Sequence, residues 1–165
     1  MKQPAGHHLA EFNFGVLRHD WDDPRVADFA DNLDHVNAIA EASPGFVWRL
    51  NDDAMDQGQN DPDGVFGGNA RAASALSVWT DAASLNRFVW KTVHRQFYDR
   101  RREWFAADGN SNLVLWWVPI GHRPDLQEGM TRFDYLRQHG ETDHAFGRER
   151  LEQLLHAEQN SEQVA

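Results

Sequence analysis

Residues His8–Leu17 read HLAEFNFGVL, a run of strand formers in which apolar side chains recur at every second place. Successive side chains of a strand point to opposite faces, so Ala10, Phe12, Phe14 and Val16 share one face, and Leu9, Glu11, Asn13 and Leu17 the other. Downstream, Asp22-Asp23-Pro24 supplies a cap and a proline suited to a first helical turn. Val26, Phe29, Ala30, Leu33, Val36 and Ala40 follow at helical spacing, which predicts a helix to about Ala42. Ser43-Pro44-Gly45 stops it, and Phe46–Leu50 reads as a second strand. Asn51–Ala73 is rich in Asp, Gly and Asn and reads as a long mobile loop or irregular hairpin. Ser74–Trp79 is a third strand. Thr80-Asp81 caps a second helix running from Ala82 to about Phe105, with a bend near His94. Asn112–Val118 (NLVLWWV) is a fourth strand, apolar on both faces. Leu126, Met130, Phe133 and Leu136 mark a third helix. Arg148–Glu158 reads as a polar helix with a short Leu151/Leu154/Leu155 stripe.

The order β-α-β-β-α-β is the split βαβ arrangement, an α+β, ferredoxin-like fold with an antiparallel sheet. One domain is expected over residues 1–165, with a core of about 8–146 and a C-terminal helical extension over 147–165. In this arrangement the helices cover one sheet face. The other, with Phe12, Phe14 and one side of the fourth strand, is too apolar to leave wet. A homodimer with its two sheets face to face, a dimeric α+β barrel, is the expected solution.

Composition narrows the function classes. Among 165 residues there are seven Trp, ten Phe and no Cys, and the net charge is −10. Thiolate catalysis, disulfides and Cys-ligated metal are thereby excluded. The acidic field disfavours nucleic acid, and Arg100, Arg101 and Arg102 stand beside Asp99 and Glu103, as on an ion-paired helix face. No apolar run approaches the roughly 18 residues of a membrane span, and MKQPAGHH has no apolar signal core, so a cytoplasmic protein is expected. The stretch Asp61-Pro62-Asp63-Gly64 resembles part of a calcium loop, but Gln59 holds its first ligand place and Ala70 its twelfth. The motifs HExxH, GxSxG and GxGxxG are absent.

The residues that can carry chemistry are few. The second helix is apolar on two sides: Leu85, Phe88, Val89 and Val93 form one stripe, and Trp90, His94, Phe97, Arg101 and Trp104 a second. A helix buried all round needs another partner, which can be a protomer, the terminal helix or a ligand cavity. Trp90 and His94 are one turn apart, so an indole would stand beside an imidazole. His94 can be base, acid or metal ligand, or a hydrogen-bonded structural residue. Glu11 and Asn13 are polar on a strand expected at mid-sheet; they either reach a cavity or bond loop backbone. Asn37 lies beside the apolar stripe of the first helix. Arg49 could pair with Glu11.

Several strings resemble a bacterial family. They are His8-Leu9-Ala10, Asp23-Pro24-Arg25-Val26, Asn37-Ala38, Ser43-Pro44-Gly45-Phe46-Val47-Trp48-Arg49-Leu50, Leu76-Ser77-Val78-Trp79 and His94-Arg95. Arg101-Arg102-Glu103-Trp104-Phe105 and Leu115-Trp116-Trp117-Val118-Pro119 with Gly121-His122 complete the set. Together, from about His8 to Phe146, they resemble domain of unknown function 3291. The resemblance implies the dimeric α+β-barrel superfamily, with its monooxygenases and haem enzymes. Haem-degrading members use an Asn on the first strand and a Trp and a His on the helix after the third. Asn13 and His94 match those places; Trp90 is a looser match, with Phe88 its rival. The implied function is an oxygenase-like enzyme, cofactor-free or haem-dependent, acting on a hydrophobic or aromatic molecule. His94, Asn13 and Trp90 would be catalytic, with His94 the axial ligand if haem binds. Glu11, Asn37, Arg49, Phe88, Phe97 and Trp104 would contact substrate. The alternative is a non-catalytic ligand-binding or interaction module. In place of the proline-rich tail of this family, the chain carries the charged stretch Arg148–Glu158.

Overall fold

The fold is seen in a computed structural model that describes residues 2–106 and 112–162, with side chains to residue 157. Four strands form an antiparallel sheet: β1 (His7–Val16), β2 (Phe46–Arg49), β3 (Ala72–Trp79) and β4 (Leu113–Pro119). Their order is β2-β3-β1-β4, so the first strand is central, as the split βαβ reading requires. Glu11 lies opposite Ser77 on one side and Leu115 on the other. Arg49 lies opposite Ser77 from the far side.

The helices are α1 (Ala27–Ala30), α2 (Leu33–Ala42), α3 (Asp52–Asn60), α4 (Ala82–Lys91), α5 (His94–Trp104), α6 (Leu126–His139) and α7 (Arg148–Glu162). A 3-10 turn at Pro24–Val26 precedes α1, capped by Asp23, whose side chain accepts from the Arg25 N–H. The single first helix expected from periodicity is broken between Ala30 and Leu33. Asn32 turns its side chain back to the Asp28 carbonyl at 2.8 Å, a local bond that competes with helix propagation. The second helix is also two. Thr92 is extended; its hydroxyl donates to the Phe88 carbonyl at 2.6 Å and accepts the His94 N–H at 3.2 Å. One side chain therefore closes α4 and opens α5.

The stretch 51–73 is not the loop expected from composition. Asn51 caps α3 by accepting the Ala54 N–H at 2.8 Å, and Asp52 and Asp53 sit in the first turn, where the helix dipole favours them. Met55 and Gln59, one turn apart, are buried. The Gln59 side-chain oxygen accepts from both the backbone N–H and the hydroxyl of Ser74, each at 2.9 Å.

This helix changes the account of the sheet. Leu9, Trp79 and Leu115 pack under Ala40 of α2, Leu85 and Phe88 of α4, and Leu151 and Leu154 of α7. On the opposite face Ala10, Phe12, Leu76 and Trp116 pack under Met55 of α3 and Leu126 and Phe133 of α6. The apolar face expected to need a second protomer is covered by α3 and α6 of the chain itself. Phe12 and Trp116 are fully buried, and α6 comes so close that a Cβ on Gly129 would lie 2.9 Å from the Phe12 ring. The outer edge of β4 is also occupied, since Leu115 exchanges backbone bonds with Phe146 at 2.8 and 2.9 Å. Large apolar side chains left exposed among the described residues are scattered: Val16, Val47 and Ile120.

Candidate functional site

Antiparallel pairing puts Glu11 and Ser77 side by side on the face that looks toward α4. The Ser77 hydroxyl donates to Glu11 Oε2 at 3.0 Å, and Asn13 donates its amide to Glu11 Oε1. Trp79, two residues along β3, donates its indole N–H to Ser77 Oγ at 2.9 Å. The result is a chain of four polar groups ending on a carboxyl that is only 6% exposed. Burial pushes the Glu11 pKa up to about 7 against the opposing hydrogen bonds from Asn13 and Ser77. Asn13 itself is exposed. The buried acid thus meets solvent through the amide that holds it.

Aromatic rings connect this network to His94. Trp79 stacks on Phe88 with centroids 5.2 Å apart, and Phe88 meets the His94 imidazole at 4.9 Å. Burial pushes the His94 pKa below the ordinary imidazole value, the Val89 backbone opposing. Its Nδ1 is buried without a hydrogen-bond partner, an arrangement that costs stability. A carboxyl poised near neutrality is suited to exchange a proton at neutral pH.

The other expected residues go elsewhere. Trp90 and His94 do not share a face, because Thr92 interrupts the helix between them. Trp90 instead packs edge-on to Tyr98 at 5.1 Å, with the Arg148 guanidinium 4.9 Å from its ring. Phe88, its rival, takes the place beside His94. Phe97 and Trp104 form a separate cluster with Leu17, Val26 and Phe29. Asn37 reaches Asp52 at 3.4 Å. Arg49 does not pair with Glu11. It bridges Glu41 of α2 and Asp52 of α3 at 2.7 and 2.8 Å, whose carboxylates are already near water and cost less to approach. Ser77 and Trp79 were missed from the sequence. The available signal was a polar residue, Ser77, within the apolar run 76–79 of β3, opposite Glu11.

Haem does not fit these residues. Two open clefts have volumes of about 280 and 220 Å³, and neither is lined by His94. The imidazole lies against the Phe88 ring, and its Nδ1 is buried rather than presented to an open cavity. Among the described residues no group of three or more His, Asp or Glu is arranged to hold a metal ion, and no helix is long and apolar enough to cross a membrane.

Two crystal structures are similar to this chain. One is NE2512, a protein of unknown function from Nitrosomonas europaea, 13% identical, with 74% of this chain and 99% of that chain covered and a TM-score of 0.46. The other is SnoaB, a cofactor-independent oxygenase from Streptomyces nogalater, 17% identical, with coverage of 75% and 100% and a TM-score of 0.43. No curated protein matches the sequence. The sequence pattern of domain of unknown function 3291 matches residues 8–163, nearly the whole chain, and this protein belongs to that family.

Proposed function

We propose that this chain is an oxygenase-like enzyme of small hydrophobic, aromatic molecules, working without haem and using Glu11 to move the proton. The observation that carries the reading is the buried Glu11 carboxyl, held by Asn13 and Ser77 and shifted to about 7. Glu11 takes an acidic proton from the substrate. The electron-rich anion so formed is the species that reacts with dioxygen, the co-substrate. Asn13, exposed beside the carboxyl, holds the substrate oxygen on which negative charge gathers. Trp79 and Phe88 are buried behind the carboxyl and hold the network in place, with His94 against Phe88. A homodimer stays in this reading through the family resemblance; the sheet faces of this chain do not require it.

The test is oxygen uptake with a panel of phenolic and fused-ring aromatics. Glu11→Gln is expected to lower kcat by a factor of about 10² or more, the usual contribution of a positioned base, while Glu11→Asp retains part of the rate. Turnover by Glu11→Gln equal to wild type would remove the carboxyl from the mechanism. A second reading is a ligand-binding module without catalysis. It is favoured by one observation: the 220 Å³ cleft beside Phe88, lined by Ser43, Ser84, Arg87 and Thr92, does not include Glu11. Saturable ligand binding with no oxygen uptake by wild type would select it.

A further inference from the structure

A second feature shares no residue with the Glu11 network. Where the N-terminal arm crosses the end of β4, Lys2, Pro4, His7, Trp117, Arg132, Asp143 and His144 line an open cleft of about 280 Å³. The arm is fixed in place, because the Gln3 side-chain amide donates to the carbonyls of Thr80 and His7, each at 2.8 Å. In a chain of net charge −10, four of the seven lining residues are Lys, Arg or His, and the single acid among them is already used. Asp143 is paired with Arg150 at 2.6 Å. Glu128, one turn before Arg132 on α6, accepts from the Trp116 indole at 2.9 Å and bonds His122 at 2.7 Å.

Arg132 is therefore a half-buried cation that makes no ion pair with a carboxylate among the described residues. Its Nη1 donates to the His144 carbonyl at 2.8 Å and lies 2.8 Å from His144 Nδ1 and 3.1 Å from Nε2, one of which accepts. A guanidinium only donates, so the imidazole nitrogen must accept, and His144 is neutral in this contact. Burial pulls the Arg132 pKa below the ordinary arginine value, and burial together with Arg132 does the same to His144. The His144 ring is steadied by Tyr135 at 4.5 Å. A cation partly withdrawn from water, with the Glu128 charge acting on it only from a distance beyond a direct ion pair, is incompletely compensated, and the remaining donors of its planar fork match an oxyanion.

We infer that this cleft is a binding site for a small molecule bearing an oxyanion, a carboxylate or phosphate group, taken by Arg132 with Lys2 and His7 at the rim and the Trp117 ring as a wall. The volume suits a molecule of one ring or less, below the usual range for drug-sized ligands.

The experiment titrates the full chain with sodium benzoate and, separately, sodium phosphate, in chloride at fixed ionic strength, reading heat and tryptophan fluorescence. Saturable binding of at least one probe is expected; benzoate saturation identifies a carboxylate source and phosphate saturation a phosphate source. Arg132→Gln should weaken it at least roughly tenfold, and Arg132→Lys several-fold, because Lys keeps the charge and loses the fork. Lys2→Gln guards against misfolding at Arg132: Lys2 is exposed, and its loss should weaken binding roughly threefold. Glu11→Gln should bind as wild type, which separates this site from the proposed enzyme. The inference is overturned if neither probe saturates, or if folded Arg132→Lys and Lys2→Gln both bind as wild type.

Discussion

Glu11→Gln is expected to raise folding stability at pH 8 by up to about 3 kcal/mol and to leave it nearly unchanged at pH 4. The sign follows from the direction of the shift. In the fold the Glu11 carboxyl titrates at about 7, above its ordinary 4.5. Below the lower value both folded and unfolded chains hold it protonated, and burial carries no charge penalty. Between 4.5 and 7 the unfolded chain ionises first and is stabilised relative to the fold. Above 7 the folded chain carries a buried carboxylate, and the loss is complete. A glutamine keeps the acceptor for Asn13 and never ionises, so its curve lacks this slope. Urea melts of both proteins from pH 4 to pH 8 measure the difference directly, because every other titrating group cancels. Parallel curves would mean that Glu11 titrates as an ordinary surface acid.

The second large effect concerns the face opposite the Glu11 network. Phe12 is fully buried between Phe14, at 5.3 Å, and Phe66, at 6.4 Å, with Gly129 of α6 pressed against its ring. Phe12→Ala is expected to cost about 3 to 5 kcal/mol, the range for a large ring removed from a close-packed core. That is a large share of the roughly 5 to 15 kcal/mol by which domains are stable. Because α3 and α6 of the same chain supply the packing, the loss should be the same at low and high protein concentration. A loss that grows on dilution, with dissociation of a wild-type dimer, would return this face to the role of protomer interface.

The succession of elements along the chain was legible because its signals are local, and the split βαβ arrangement followed from it. The alternation in β1, the stop at Ser43-Pro44-Gly45 and the caps at Asp23 and Asp81 each involve a few neighbouring residues. That Glu11 and Asn13 lie on one strand face was legible from their i, i+2 spacing, but the expectation that they reach a cavity or bond loop backbone was not met: they bond each other and Ser77. The rest depended on contacts between distant segments. In α3 the sequence DDAMDQGQN offers one large apolar residue, Met55, and the helix is held by Gln59 bonding to Ser74 of β3. No periodicity could reveal that. The coverage of Phe12 by α6 joins residues more than a hundred positions apart. The spacing of four between Trp90 and His94 predicted a shared face only for an unbroken helix, and the Thr92 hydroxyl breaks it.

The central claim is that Glu11 is a proton-exchanging group at neutral pH, and its own titration tests that most directly. With carbon-13 placed in glutamate carboxyls and Glu11→Gln used to assign the signal, the Glu11 resonance is expected to move with a midpoint near 7. Asn13→Ala removes a hydrogen bond that favours the ionised form and should shift the midpoint higher. A Glu11 midpoint at the ordinary carboxylate value in the wild-type protein would contradict the account.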